Sequence, residues 1–410
     1  MTAEKAAQDV LRAPAAVRMV DLATAEDLQL GRSGTPYASA YVVGTRNGRP
    51  VAGRTLELDG TGMISAQTIA RIFADVPDDE PTTPAPSGEL PSLSVVVTTC
   101  GQDESVSEAV ASVLNCDPGP AEVIVVENRP QGSTVAATLR QRFGADSRVR
   151  CVDETRVGLS HARNAGLAVA VGEAVAFTDD DVVVEPKWLE WLARGFASDP
   201  GVACVTGLIL PADLETPSAV QIEQFAGFGK GWQRRVFHIT NPTSALFPYA
   251  AGEFGSGACT ALRREVANEI GGFATDLGAG TRARGGEDLD LYVRVLLAGH
   301  LLVYEPAAVI WHRHPDVPQH LRREVFNYGV GLSAMMTKQM VDGHARAILG
   351  RVPAGLRFIR DPASRKNVRK GPAYPKQFDW IERAGMAAGP IAYLASRREQ
   401  RRIAASATRP

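Results

Sequence analysis

Three consecutive aspartates, Asp179, Asp180 and Asp181, follow the apolar run at residues 174–178. Carboxylates this close repel one another and lose hydration near a core, so shifted pKa values or a bound cation are expected. Solvated acids between a strand and a turn are the alternative that the triplet alone leaves open. The pattern therefore predicts either a cation site or a polar turn.

A further acid, Glu127, lies near the end of another apolar run, residues 121–128. In an open parallel sheet, ligands bind outside the carboxyl ends of the strands. Carboxylates that converge there suit a hard divalent cation such as Mg²⁺ or Mn²⁺, which completes its shell with water and substrate phosphates. We therefore expect Glu127 and the aspartate triplet to share one cleft.

The segment "GGEDLDL" (285–291) holds a second acidic cluster at the start of a predicted helix. Acids are common in a first helical turn, where they face free N–H groups and the positive end of the dipole. Chemistry at Glu287, Asp288 or Asp290 and simple helix initiation both remain open at this point.

Strands and helices alternate around these acids. Continuous apolar runs predict strands at 93–99, 121–128, 148–154 and 174–178, and helical spacing predicts helices at 105–115 and 158–172. This alternation is typical of an α/β domain with a largely parallel sheet.

The flanking segments differ in composition. The sequence pattern predicts a small unit over residues 1–76, with a hairpin at Asn47-Gly48 and a helix. A linker rich in proline and acidic residues is predicted over residues 77–92. The α/β domain is predicted over 93–318. Residues 319–410 read as a basic, mainly helical extension, since 19 Lys+Arg stand against 7 Asp+Glu from Arg313 to the C-terminus.

Composition excludes several classes. An apolar content of 45% and a charged content of 22% are ordinary for a soluble globular protein. We see no secretory signal and no apolar run of eighteen residues, so a cytoplasmic location is expected. The five scattered cysteines predict buried thiols, without a zinc or disulfide framework. The sequence lacks the pattern GxxxxGK[ST], which excludes a P-loop protein. It also lacks GxGxxG after the first predicted strand of the α/β domain, which disfavours a dinucleotide-binding fold.

Five motifs in order carry a family likeness: "LSVVVTTCGQDESVSEAVASVLN…EVIVVEN", "ARNAG", "FTDDDV", "GSGACTALRREV" and "GGEDLDLYVRVLLAGH". Over about residues 91–330 the chain resembles the family 2 glycosyltransferases of the GT-A fold. The resemblance implies an α/β nucleotide-binding domain with a mostly parallel mixed sheet. It also implies an inverting, Mn²⁺- or Mg²⁺-dependent transfer of a sugar, a hexose being expected, from a nucleotide-sugar to an acceptor hydroxyl.

The resemblance also implies roles on the donor side. The expected donor-binding residues are Thr98, Thr99, Glu127, Arg163, Asp179 and Asp180. Glu127 stands where the family usually has an aspartate that reads the base, which leaves the nucleobase open. Asp181 would bind the metal, joined by His312; His314 is an equal candidate by spacing.

On the acceptor side, the resemblance makes Asp288 the general base that deprotonates the acceptor hydroxyl. Glu287 and Asp290 would orient the acceptor or hold the helix end. Gly255 and Gly257, in "GEFGSGAC", would form the acceptor-side loop, although such glycines also mark simple turns.

Three other functions are alternatives to the glycosyltransferase prediction. A haloacid-dehalogenase-like phosphatase would use Asp179 as nucleophile and Asp181 as acid, but several strand–helix units precede the triplet and the Ser/Thr and Lys motifs are missing. A sugar nucleotidyltransferase would need a glycine-rich triphosphate loop with Arg or Lys after the first strand, and this sequence lacks such a loop. A non-enzymatic binding module would depend on the basic tail.

The expected partners are a nucleotide-sugar donor and an acceptor that is a glycan, a lipid-linked precursor or a small molecule. Nucleic acid is disfavoured, because the basic residues are not interleaved with stacking aromatic side chains. Residues 389–402 would either contact an anionic inner-membrane surface or form a solvated cover helix.

Overall fold

The computed structural model describes residues 11–31, 34–77, 88–101, 103–129, 131–225, 227–314, 316–364, 366–367 and 374–407. The strands are β1 Ala15–Asp21, β2 Leu28–Gln29, β3 Ser39–Arg46, β4 Arg49–Glu57, β5 Met63–Ile64, β6 Leu93–Thr99, β7 Glu122–Asn128, β8 Val149–Glu154, β9 Ala174–Asp179, β10 Val182–Val184, β11 Val202–Pro211, β12 Arg235–Phe237, β13 Thr260–Arg263 and β14 Leu301–His312. The α-helices are α1 Ala66–Ile72, α2 Asp103–Leu114, α3 Val135–Phe143, α4 Leu159–Val169, α5 Trp188–Ala197, α6 Pro217–Phe225, α7 Arg264–Glu269, α8 Glu287–Leu297, α9 Pro318–Gln339, α10 Ala345–Arg360 and α11 Gln377–Ala407.

The N-terminal unit contains the predicted hairpin. Strands β3 and β4 pair antiparallel around Asn47 and Gly48, whose φ angles of 50° and 73° are those of a tight two-residue turn. Strand β1 pairs parallel to β3, and α1 begins at its N-cap Ser65, as the helical spacing of that segment predicts. Residues 78–87 of the predicted linker lie outside the described residues.

The α/β fold class is confirmed. A nine-stranded sheet runs in the order β10-β14-β11-β13-β9-β6-β7-β8, and β12 pairs with β14. Strands β9, β6, β7 and β8 are parallel, whereas β13 enters antiparallel between β9 and β11, which makes the sheet mixed. The parallel half therefore brings the ends of β6, β7 and β9 to one edge.

Both faces of the parallel half are covered. Val95 and Val97 of β6 pack in one core cluster with Val110 of α2, and Val96 packs in a second cluster with Ala162 of α4. Because both faces are buried, the strand sequences read as continuous rather than alternating apolar runs.

The C-terminal extension is helical, as predicted. The predicted segments 320–340 and 389–402 fall in α9 and α11, which pack closely through small residues. A Cβ added at Gly385 would lie 2.2 Å from the carbonyl oxygen of Phe326, and one at Gly389 would lie 1.9 Å from Oγ of Ser333. None of the described helices combines the length and the apolar character needed to cross a membrane.

The five cysteines are free thiols, and Cys116, Cys204 and Cys259 are buried as predicted. Cys151 is half-buried and Cys100 is exposed, so the prediction of buried thiols was wrong for Cys100. Cys100 directly follows β6, where the chain leaves the sheet and turns outward.

Candidate active site

The predicted donor residues meet at the carboxyl edge of the sheet. Thr98 of β6 is in register with Asp179 of β9, and Thr99 is in register with Glu127 of β7. The Thr98 hydroxyl lies 3.5 Å from Oδ1 of Asp179. The strand order, rather than any sequence proximity, brings these residues to one edge of the sheet.

Asp180 turns back toward β6. Oγ1 of Thr99 donates a hydrogen bond of 2.5 Å to Oδ2 of Asp180, and the backbone N–H of Gly101 donates to the Thr99 hydroxyl at 3.3 Å. Burial raises the pKa of Asp180 to about 6, with the neighbouring aspartates adding to the effect and the Thr99 hydrogen bond opposing it. The raised pKa of Asp180 is a shift of the kind that the spacing of the three aspartates predicts.

Glu127 is buried at the end of β7, and its Oε1 atom has no hydrogen-bond partner among the described residues. A buried polar oxygen without a partner is costly, and in a cleft it points to a ligand donor. Both polar atoms of the neighbouring Asn128 side chain form hydrogen bonds. The amide donates to the carbonyl oxygens of Glu154 and Arg156 and accepts from the N–H of Gly158. Asn128 thus holds the loop that begins α4, whereas Glu127 keeps an acceptor oxygen that no described residue uses.

Asp181 and His312 lie side by side because β10 pairs with β14, with Val182 in register with His312. Nε2 of His312 is 3.6 Å from Oδ1 of Asp181, which is too long for a hydrogen bond, and that oxygen has no hydrogen-bond partner within the described part of the chain. Two ligands about 2.1 Å from one ion stand about 3–4 Å apart, so this pair fits a divalent cation.

The chain itself supplies few ligands. No group of three or more His, Cys, Asp or Glu side chains suited to a metal ion occurs within the part of the chain that the structure describes. A cation held by Asp181 and His312 would therefore need water and phosphate oxygens, as Mg²⁺ and Mn²⁺ do at nucleotide sites.

The structure distinguishes the two histidines that spacing left equivalent. His314 is buried, and its Nε2 lies 3.2 Å from Oε2 of Glu223 on α6. His312 is the one that faces Asp181.

Arg163 joins the two acidic clusters. Its Nη2 donates to Oδ1 of Asp179 at 3.1 Å, and its Nη1 donates to Oε1 of Glu287 at 3.0 Å. The Arg163 side chain is only 2% exposed. Both terminal nitrogens point to carboxylates, so in this structure Arg163 bridges β9 and α8 rather than presenting a free guanidinium to a diphosphate.

Glu287 and Asp288 begin α8 after Gly286, whose φ of 84° places it in the left-handed region. Burial raises the pKa of Glu287 to about 7, with the charge of Asp288 adding to the shift and Arg163 opposing it. Asp288 is half-buried; its Oδ2 accepts from the N–H of Gly257 at 2.8 Å and its Oδ1 accepts from the N–H of Leu289 at 2.8 Å. A carboxylate offers about four lone-pair sites, so Asp288 keeps capacity to accept a proton.

The glycine loop beside Asp288 has a packing reason. A Cβ at Gly257 would lie 2.7 Å from Nη1 of Arg163, and one at Gly255 would lie 2.5 Å from Cβ of Thr206. Gly255 also has φ +149°, which L side chains rarely adopt. The glycines therefore let the loop approach the Arg163 bridge and the first turn of α8.

Asp290 faces away from this cleft. It is fully buried, its Oδ2 accepts from Nε of Arg294, and its Oδ1 accepts from Nε2 of Gln339, both at 2.7 Å; Nζ of Lys338 lies 3.0 Å away. Of the two roles expected for Asp290, these contacts favour holding the helix, because they tie α8 to α9.

Two aromatic side chains at the site were not predicted. The ring of Phe228 lies 5.4 Å from that of His312, and Tyr328 of α9 lies 6.3 Å from Phe228. The sequence shows Tyr328 only as part of an apolar helical stripe, and no local signal separates a packing tyrosine from one beside a cleft. Phe228 lies in the loop after α6, outside any strand or helix, so only the fold reveals its position.

The site thus has two halves. One half holds buried acceptors and a cation-compatible Asp–His pair at the strand ends, and the other holds a half-buried carboxylate beside a glycine loop. The Arg163 bridge fixes the two halves relative to each other. This arrangement can bind a metal–diphosphate on one side and accept a proton from a hydroxyl on the other.

The chain is similar to known glycosyltransferases. A family model described as "Glycosyltransferase like family 2" matches residues 91–327. A glucosyl-dolichyl phosphate glucuronosyltransferase of Haloferax volcanii is 26% identical over 235 residues, which cover 54% of this chain and 69% of that protein. A pre-mycofactocin glycosyltransferase of Mycobacterium tuberculosis is 29% identical over 253 residues, which cover 61% of this chain and 48% of that protein.

The chain spans 27%, 69% and 48% of the length of the Sinorhizobium, Haloferax and Mycobacterium relatives, respectively. An uncharacterized Sinorhizobium fredii protein is 29% identical over 262 residues, but these cover only 27% of it. Among solved structures, a mannosyltransferase from Pyrobaculum calidifontis in complex with GDP-Man and Mn²⁺ aligns over 83% of this chain and 82% of that one, with 21% identity and a TM-score of 0.45.

Proposed function

The chain belongs to glycosyltransferase family 2, whose model spans more than half of it, and we propose that it is an inverting, divalent-metal-dependent enzyme that moves a sugar from a nucleotide-sugar to an acceptor hydroxyl. Its being a glycosyltransferase follows from the family. The inversion, the metal and the residue roles are the proposal.

On the donor side, Glu127 accepts hydrogen bonds from the nucleobase, and Thr98, Thr99 and Asp179 line the ribose. The unpartnered Oε1 of buried Glu127 supports this role. Asp180 is a positioning residue, because its carboxylate is held by Thr99. Asp181 and His312 would hold the cation, and a bound cation would supply positive charge to stabilise a leaving diphosphate.

Arg163 is also a positioning residue in this proposal. By pairing with Asp179 and Glu287 it keeps the donor edge at a fixed distance from α8, where Asp288 lies. Fixed geometry of this kind lowers the barrier, because the reacting groups need not be brought together afresh.

On the acceptor side, Asp288 takes the proton from the acceptor hydroxyl as that oxygen bonds to the anomeric carbon and the bond to the diphosphate oxygen breaks. A single displacement from the far side inverts the anomeric configuration. The Gly257 N–H holds the carboxylate in place, which supports Asp288 over Glu287, whose Oε1 is occupied by Arg163.

The basic tail belongs to the proposal as a peripheral contact with an anionic membrane surface. On the outer side of α11, Ile391 is 74% exposed, and it is followed by exposed Arg398, Arg401 and Arg402. The inner side of the same helix packs on α9, so the cover-helix alternative describes one face and the membrane contact concerns the other.

The observation that most supports this function is the Arg163 bridge between the acidic strand end and the first turn of α8. The test is a panel of nucleotide-sugars incubated with the protein and Mn²⁺, with released nucleotide diphosphate as the readout. At least one donor should be turned over or hydrolysed. Release of phosphate from p-nitrophenyl phosphate without any donor turnover would favour the phosphatase alternative, which the comparisons do not support.

A further inference from the structure

Helix α10 carries an exposed apolar stripe. Leu349 is 60% exposed, Val352 is 48% exposed and Leu356 is 49% exposed. Their spacing of three and four residues places them on one side of the helix. An isolated exposed leucine needs no explanation, but three large aliphatic residues aligned along one helix form a patch that does.

The same side of α10 is cationic. Arg346, Arg357 and Arg360 are exposed, and the helix sequence contains no acidic residue between Ala345 and Arg360. The remaining arginine, Arg351, turns inward, where its Nε donates to the carbonyl oxygen of Phe247 at 3.1 Å. We call the six outward residues, Leu349, Val352, Leu356, Arg346, Arg357 and Arg360, the α10 outer face.

The α10 helix lies beside the acceptor-side loop. The Arg351 guanidinium stacks over Tyr249 at 5.5 Å, and the ring of Phe247 lies 5.7 Å from that of Phe254, which immediately precedes Gly255. The inner side of α10 is therefore connected, through Tyr249 and Phe247, to the segment that leads into the glycine loop beside Asp288.

We propose that the α10 outer face lies on an anionic lipid surface, and that the acceptor hydroxyl belongs to a lipid-linked molecule presented from that surface. An apolar stripe edged by arginines, without acids, matches an interface of acyl chains and anionic headgroups. A second copy of this chain would bring arginines against arginines, which disfavours a symmetric dimer. The acceptor part rests on the proposed function; the lipid contact does not.

The test is co-sedimentation of the full chain with vesicles of phosphatidylcholine alone or with about one third phosphatidylglycerol, at about 0.1 M and about 0.5 M salt. Wild type should bind the anionic vesicles, and more weakly at high salt. Leu349→Glu/Leu356→Glu should reduce binding at least about tenfold, and each of Arg346→Gln, Arg357→Gln and Arg360→Gln about fivefold.

Two matched variants isolate the surface. Val171→Glu places the same charge on an exposed valine outside the C-terminal helices and should bind like wild type. Ile391→Glu measures the separate contribution of α11. Equal vesicle binding by wild type and Leu349→Glu/Leu356→Glu, or no binding to anionic vesicles by wild type, overturns the proposal.

Further readouts separate the remaining outcomes. Mn²⁺-dependent nucleotide diphosphate binding should be unchanged in the α10 variants. A wild-type protein that binds anionic vesicles but no nucleotide diphosphate counts against the proposed function and not against this surface. A wild-type dimer that Leu349→Glu/Leu356→Glu converts to a monomer, without vesicle binding, would assign the face to self-association and overturn the lipid contact.

Discussion

The backbone N–H of Gly257 donates a hydrogen bond of 2.8 Å to Oδ2 of Asp288, and the same glycine leaves room for the Arg163 guanidinium. One residue without a side chain thus positions the proposed base and borders the bridge to Asp179. The proposed roles of these residues lead to measurable consequences.

The first prediction concerns Asp288→Asn. Turnover should fall at least about a hundredfold, because an amide cannot accept the acceptor proton. Both oxygens of Asp288 accept from backbone N–H groups, so the amide of Asn faces one of these donors with its own NH₂ group. We therefore expect a stability cost of about 1–3 kcal/mol, together with near-normal nucleotide diphosphate affinity. Near-normal turnover would show that Asp288 only begins the helix.

The second prediction concerns Glu127→Gln. A carboxylate only accepts hydrogen bonds, whereas an amide also donates, so the order of affinity for UDP, GDP, ADP and TDP should change. Glu122→Gln is the matched control, because Glu122 begins the same strand and is bound by Ser94 and the N–H of Val171. The control should lose stability and keep the order of affinities. An unchanged order in Glu127→Gln would remove Glu127 from nucleobase binding.

The third prediction concerns the bridge. Arg163→Met leaves Asp179 and Glu287 facing each other without their shared cation, so unfolding in urea should show a loss of about 3–5 kcal/mol. Adding Glu287→Gln to Arg163→Met should recover part of that loss. If the two residues were independent, the stability losses of Arg163→Met and Glu287→Gln would add in the double variant. Such additivity would contradict the bridge.

The fourth prediction concerns pH. Burial raises the pKa of Glu287 in the folded state from 4.5 to about 7, so the folded protein holds this proton at pH values where the unfolded chain has released it. The resulting stabilisation is present below pH 4.5 and is lost as the pH rises toward 7. Over this window, the unfolding free energy of wild type should decline relative to that of Glu287→Gln. Parallel pH profiles for the two proteins would contradict a raised pKa.

Much of the fold follows from the sequence. The runs that become β6, β7 and β9 have continuous apolar centres, because helices cover both faces of the sheet, and their bounds are predicted within one residue. The antiparallel strand β13 is not visible in the same way. It is four residues long and lies between β11 and β9, which come earlier in the chain, so only long-range pairing defines it.

The site follows from the sequence only in part. Strand-end acids share an edge wherever a sheet is parallel, so the sequence pattern predicts that Glu127 and Asp179 lie at the same edge of the sheet. The sequence does not predict that Asp288 lies beside the glycine loop while Asp290 contacts α9, because this depends on which side of α8 meets α9. Likewise, His312 ends β14 and His314 follows two residues later, and only the position of α6 shows that His314 is paired elsewhere.

The tail illustrates the same limit. Its charge predicts a surface contact, but the sequence does not show that α11 packs on α9 through Gly385 and Gly389. Truncation near Arg383 would therefore remove core contacts, since Tyr393 is buried. Substitutions on the outer sides of α10 and α11 test membrane binding without this complication.

The most direct test of the central claim is calorimetric titration of UDP and GDP into the wild-type protein and Asp181→Ala, with and without Mn²⁺. Wild type should bind at least one of the two only when Mn²⁺ is present, and at a ligand concentration of about 100 times Kd that binding should stabilise the fold by about 2.7 kcal/mol. Asp181→Ala should lose the metal-dependent binding and keep its fold, and His312→Ala should weaken it. Equal binding with and without Mn²⁺, or equal Mn²⁺-dependent binding by wild type and Asp181→Ala, would contradict the proposed donor site.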